Sequence, residues 1–188
     1  MSRKHKFTNN DDLFFVTFTV VNWIDVFTRT EFKDLILDSI KYCQAEKGLE
    51  VYAWAIMTNH LHMIIGTNKN PFNEIVRDLK RFTSRKLKEI IYIHPKESRK
   101  EWIIDLMTQT GEGNSNNKSW QFWQQHNHPV QLYSPKVIRQ KLDYIHLNPA
   151  RAGFVEEPWY WKYSSAVDYY ADKQGLLDII MLEGLYFI

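Results

Sequence analysis

The residues with the clearest capacity for chemistry are His60 and His62, separated by Leu61 inside the apolar run from Met57 to Ile65. In a strand, side chains at i and i+2 point to one face. Two imidazoles therefore stand side by side in a run where only Thr58 and Asn59 offer other polar groups. Burying both rings neutral leaves ring nitrogens in need of partners, and one divalent cation satisfies both. Two readings are open: half of a metal site, by the ligand preferences of imidazole, or a pair of hydrogen-bonded core histidines. The second His-x-His, His126-Asn127-His128, precedes Pro129, and asparagine and proline there point to a turn or strand edge rather than to a ligand-bearing face.

A second group is Tyr144 and Asn148, ahead of Pro149. Proline disfavours a helical residue before it, so Asn148 is expected at a helix end, one turn beyond Tyr144 and on its side. By itself Tyr144 also reads as an amphipathic residue with a packed ring and a surface hydroxyl.

These groups need a frame. Leu13 to Val21 reads as a strand with Phe14, Val16, Phe18 and Val20 on one face, and Thr30 to Lys47 as a helix packed through Phe32, Leu35, Ile36, Ile40 and Cys43 and closed by Gly48. Val51 to Met57 and His60 to Gly66 form a hairpin around Thr58-Asn59, which places the histidine pair at a strand start. Pro71 opens a helix with a buried stripe of Phe72, Ile75, Val76, Leu79 and Phe82, leaving Arg77, Lys80, Arg81, Arg85, Lys86 and Lys88 around the rest of it. Glu97 to Lys118, with Gly111 to Asn117 at its centre, reads as a mobile surface insertion. A further strand is expected near Gln121 to Leu132, and Ser134-Pro135 starts a helix running to about Leu147. This order predicts an α+β, ferredoxin-like fold, an antiparallel sheet with helices packed on one face.

At 188 residues and 44% hydrophobic the chain can bury one core, expected as a single domain with its core at about 10–170 and a tail at 171–188. Lys and Arg number 24 against 22 Asp and Glu, so any nucleic-acid surface must come from clustering. The single Cys43 excludes an internal disulfide and suits the cytoplasm. No window approaches the ~18 apolar residues of a membrane span, and Met1 to Asn10 lacks a signal-type apolar core; a soluble, unprocessed chain is expected.

The segments MTNHLHMII, KRFTSRKL, FWQQHNHPVQL, KLDYIHLNPARAGFV and WKYSSAVDYY, in that order over about residues 10–170, resemble the HUH-type tyrosine transposases of small insertion sequences, and especially the REP-associated tyrosine transposases. The resemblance implies a metal-dependent single-strand DNA transesterase that nicks and rejoins hairpin-forming DNA through a 5′-phosphotyrosine. It maps the paired metal histidines onto His60 and His62, the nucleophile onto Tyr144, which lies on a catalytic helix, and the third, polar ligand onto Asn148, where some relatives use glutamine. A phenol with a pKa near ~10 needs a cation to polarise its target phosphate, and a mixed nitrogen and oxygen set with open positions suits Mg²⁺ or Mn²⁺.

DNA phosphates would meet Arg77, Lys80, Arg81, Arg85 and Lys88 along the cleft rim. One or two aromatics from Trp120–Trp123 or Trp159–Tyr163 would stack on bases, the rest packing. His146 reads as structural or as a DNA contact. Activity is expected to fall as pH drops through the histidine range. A domesticated hairpin-binding protein that no longer cuts is the rival reading. A hydrolase of small phosphates is disfavoured, since the site lacks further carboxylates. A homodimer is compatible with the resemblance.

Overall fold

The computed structural model describes residues 3–5, 12–113, 119–125 and 129–184. Strands β1 (Arg3–His5) and β6 (Ile180–Leu182) form a small parallel pair. The main sheet holds β2 (Leu13–Thr19), β3 (Leu49–Ile56), β4 (His60–Thr67) and β5 (Val130–Leu132), antiparallel throughout, in the order β3-β4-β2-β5. Helices α1 (Thr30–Lys47) and α2 (Phe72–Ile93) follow β2 and β4, which completes the ferredoxin-like, α+β arrangement. Then come α3 (Lys100–Glu112), α4 (Pro135–Arg151) and the short α5 (Ala166–Tyr170).

Strand register sorts the side chains. Thr17 lies opposite His62, Thr19 opposite His60, and Ala55 opposite His62 on the other neighbour. Cross-strand partners share a face, so these residues line one side, while Val16, Phe18, Trp54, Ile56, Leu61 and Met63 line the other. The second side carries α1 and α2: Phe14 meets Phe72 of α2, and Lys80 of α2 lies over Phe18. The histidine side carries α4, which packs across β3 and β4. Ala53 and Ala55, both fully buried, keep the strand surface low there and allow the helix to approach.

Helix α1 has the bounds its periodicity predicts and ends at Gly48, whose φ of 72° is left-handed; its N–H donates to the Cys43 carbonyl. Helix α2 buries Ile75, Leu79, Thr83, Leu87 and Ile91, an i, i+4 row that leaves Phe82 off it and 44% exposed, against the stripe expected from sequence. The largest departure is the expected insertion. Lys100–Glu112 is helical, with Ile103 and Met107 fully buried. Gly111 passes so close to Trp120 that a Cβ would sit 2.4 Å from its backbone nitrogen. Ahead of α3 the buried Glu97 accepts from Arg29 Nε at 2.9 Å and Arg99 Nε at 3.0 Å. The glycine- and asparagine-rich end of the segment masked a helical i, i+4 repeat; residues 114–118 lie outside the described ones.

The strand expected over 121–132 reduces to β5 and one bridge between Trp123 and Val20. At the opposite edge, Tyr163–Ser165 runs along β3: Ile56 N–H donates to the Tyr163 carbonyl and Ser165 N–H to the Trp54 carbonyl, both at 2.9 Å. Among the described residues, no helix is long and apolar enough to cross a membrane.

Candidate metal and nucleophile site

The turn before β4 is closed by Met57 N–H donating to the His60 carbonyl at 2.8 Å. It delivers two imidazoles whose ring centroids lie 4.5 Å apart at 70°. Each ring is held through Nδ1. His60 Nδ1 lies 2.6 Å from the Asn59 amide oxygen and His62 Nδ1 lies 2.8 Å from Thr17 Oγ1. An Nδ1–H donated to these oxygens leaves a lone pair on each Nε2, the ligand tautomer, with the ring fixed from behind. His62 is 3% exposed, and its buried Nε2 has no hydrogen-bond partner. Such an atom in a native interior calls for a partner that is not protein, and a divalent cation fits.

Burial pushes the pKa of His60 down to about 4. Burial, with help from His60 and Lys141, pushes that of His62 down to about 3. Burial thus favours the neutral form of both rings well below the ordinary histidine range, which moves the expected loss of activity to lower pH.

Helix α4 brings Tyr144 to the same face of the sheet. Ser134 Oγ accepts the Val137 N–H at 3.4 Å, Pro135 fills the first turn, and Ile138, Leu142, Ile145 and Pro149 seat the helix. Tyr144, 39% exposed, places its ring 5.0 Å from that of His62 and 6.0 Å from that of Phe15. Lys141 Nζ lies 4.5 Å from the Phe15 ring and 5.7 Å from the Tyr144 ring. Asn148 is half-buried one turn beyond Tyr144. The helix continues past it to Arg151, with Pro149 inside and buried, so packing of the proline ring outweighs its local preference to end the helix.

Among the described residues no three His, Cys, Asp or Glu side chains gather as a metal cluster. A cation on His60 and His62 would thus draw its further ligands from outside these residue types.

His146 is fully buried, with Nε2 2.8 Å from Ser165 Oγ and Nδ1 3.3 Å from the Tyr170 hydroxyl, and burial lowers its pKa to about 3. Its role is structural. The basic set of α2 lies behind the sheet and does not rim the histidine cleft, contrary to expectation. Lys80 turns inward and donates to the Gln124 carbonyl at 3.1 Å, Lys88 sits over Trp120, and Arg77 pairs with Asp78. Arg81 and Arg85 line a groove between α1 and α2. Alternation along β4 explains this: the helix pair seals the Leu61 and Met63 side, so its cations belong to the far face.

Of the aromatics, Trp123 is buried and donates Nε1–H to Thr83 Oγ1 at 3.0 Å, and Trp161 donates to the Ile56 carbonyl. His126 and His128 lie outside the described residues. Sequence reasoning missed Thr17, Asn59, Lys141 and Trp23. The Asn59 amide nitrogen donates to the Trp23 carbonyl at 3.2 Å, and the Trp23 ring stands edge-on to His60 at 5.9 Å. Thr17 was findable, since strand register places it opposite His62; Trp23 lies 37 positions before its histidine and carried no local signal.

Residues 16–125 match the family model described as transposase, IS200-like. No curated protein matches the chain by sequence. Among solved structures, a REP-associated tyrosine transposase bound to a REP hairpin is similar at 20% identity and a TM-score of 0.59, over 100% of this chain and 89% of that one. A candidate transposase from Deinococcus radiodurans is similar at 17% identity and a TM-score of 0.45, over 77% of this chain and 95% of that one.

Proposed function

The chain belongs to the IS200-like transposase family, and from that premise we propose that it cuts and rejoins single-stranded, hairpin-forming DNA through Tyr144, with Mg²⁺ or Mn²⁺ held by His60, His62 and Asn148. The observation that carries the reading is the Tyr144 ring 5.0 Å from an imidazole whose buried Nε2 lacks a partner. The solved relative's REP hairpin supports a hairpin-forming partner.

A divalent cation bound there would polarise the scissile phosphate and stabilise its developing charge. Thr17 and Asn59 hold the two rings in the ligand tautomer. Tyr144 Oη attacks phosphorus: the Oη–P bond forms, the P–O3′ bond breaks, the phenolic proton passes to solvent, and the departing O3′ takes one up. The bond energy is kept in an aryl phosphodiester, so a 3′-hydroxyl can attack it in turn and restore a strand without a nucleotide cofactor. Lys141 places a positive charge beside the tyrosine for an anionic strand.

Incubation with single-stranded hairpin oligonucleotides and Mn²⁺ tests the reading. A covalent protein–DNA band that chelator abolishes is the expected result. Hairpin binding without any band would leave the binding module as the function.

A further inference from the structure

Beyond β2 the chain makes a turn through Val21–Trp23 in which Asn22 and Trp23 have φ of 53° and 57°. Two successive left-handed residues, neither of them glycine and one bulky, persist only where surroundings enforce them, and such strain collects at functional sites. The enforcement is visible. Val20 N–H donates to the Asn59 carbonyl at 2.9 Å, Val21 N–H to the Phe122 carbonyl at 2.8 Å, and Trp23 N–H to the Val20 carbonyl at 3.1 Å. What this turn delivers is an indole left 58% exposed beside His60. An exposed tryptophan held at a backbone cost is doing little for the core.

Its place along the strands is informative. His60 pairs with Thr19, His62 with Thr17 and Ile64 with Phe15. Tyr144 touches His62 and Phe15, whereas Trp23 touches His60. The imidazole pair is therefore flanked by Tyr144 at one end and by Trp23 at the other. Phosphoryl displacement puts the attacking and leaving oxygens in line on opposite sides of phosphorus. With Tyr144 attacking a phosphate over the imidazoles, the leaving O3′ and its nucleoside lie on the Trp23 side.

We propose that Trp23 is the stacking platform for the unpaired base immediately 5′ of the scissile phosphate, retaining the 3′-hydroxyl strand for rejoining. The proposal rests on the assignment of Tyr144 above. Any base offers a π-face to an indole, so the site would grip the strand end without reading its sequence.

The test moves a single abasic nucleotide along a cleavable hairpin oligonucleotide. With the unaltered protein, adduct formation should fall about tenfold when the abasic position is immediately 5′ of the cut. Trp23→Ala should lose about as much on the intact oligonucleotide, lose nothing further at that abasic position, and release the 3′-hydroxyl strand faster than it rejoins it. Trp23→Phe should restore most of the activity. Equal abasic profiles for Trp23→Ala and the unaltered protein, or a Trp23-dependent penalty on the 3′ side, would overturn the proposal. Equilibrium binding of the same oligonucleotides to Tyr144→Phe separates the two ideas. A several-fold penalty at the 5′ position that vanishes with Trp23→Ala supports the platform even if no adduct ever forms; absence of any adduct sinks Tyr144 instead.

Discussion

Strand β4 has two kinds of neighbour on its two sides. Leu61 and Met63 face α1 and α2 in a dry layer with Val16, Phe18 and Trp54, all nearly or fully buried. His60 and His62 face α4, each ring engaged at one nitrogen, beside a half-exposed tyrosine. The first side is apolar packing in which the buried Trp54 indole Nε1 lacks a partner; on the second, the His62 imidazole keeps an unused Nε2 beside an exposed hydroxyl-bearing ring. Alternate residues of one strand thus differ, apolar packing on one side and the proposed site on the other, and substitutions along it should separate stability from cleavage.

The largest effect should come from Tyr144→Phe, which removes only the hydroxyl. Covalent adduct, read on denaturing gels, should drop at least ~10³-fold while hairpin binding changes only a few-fold. Neighbours on β4 give the sharpest contrast. Met63→Ala should cost ~2–5 kcal/mol of stability in urea titrations, with cleavage by the folded fraction intact. His62→Ala should cut cleavage at least ~100-fold and cost less stability than Met63→Ala. The reverse pattern would erase the division. Thr17→Val, which frees His62 Nδ1, should weaken Mn²⁺ binding by ~10–100-fold, measured by titration after chelation.

The smallest effect is that of pH on metal affinity. With folded pKa values of about 4 and about 3 for His60 and His62, Mn²⁺ affinity should change less than ~2-fold between pH 7.5 and 5.5, where two ordinary imidazoles would lose ~100-fold. Stability behaves differently. The unfolded chain takes up protons on these histidines below about 6.5 and the folded protein does not, so their contribution is complete above that pH and lost as pH falls toward 4 and 3. Glu97 extends the loss. Burial raises its pKa, but the hydrogen bonds from Arg99 and Arg29 outweigh burial and hold it at about 2, so its contribution is complete above about 4.5 and lost toward 2. In acid titrations Glu97→Gln should flatten the lower part of this window.

The hairpin, α1 and the histidine pair were legible because each rests on local signals: alternation, a 3.6-residue period, a terminal glycine. The sidedness of α2 was legible too, yet was misread, since the apolar set Leu61 and Met63 already marks the side a helix pair must cover. Helix α3 was obscured by the composition of its C-terminal flank. The supporting contacts of the site were beyond local reading. Asn59 meets the Trp23 carbonyl across 36 positions of sequence, and Lys141 reaches Phe15 only once α4 lies over the sheet.

The run of Tyr163–Ser165 along β3 has a bearing on association. An open sheet border is a template on which another chain can add a strand. Here the protein's own later segment occupies that border at Trp54 and Ile56, and the opposite border is the three-residue β5. Self-pairing through the sheet is discouraged on the long side by intramolecular competition and on the short side by lack of length, so copies at high local concentration are kept from fusing into a continuous ladder.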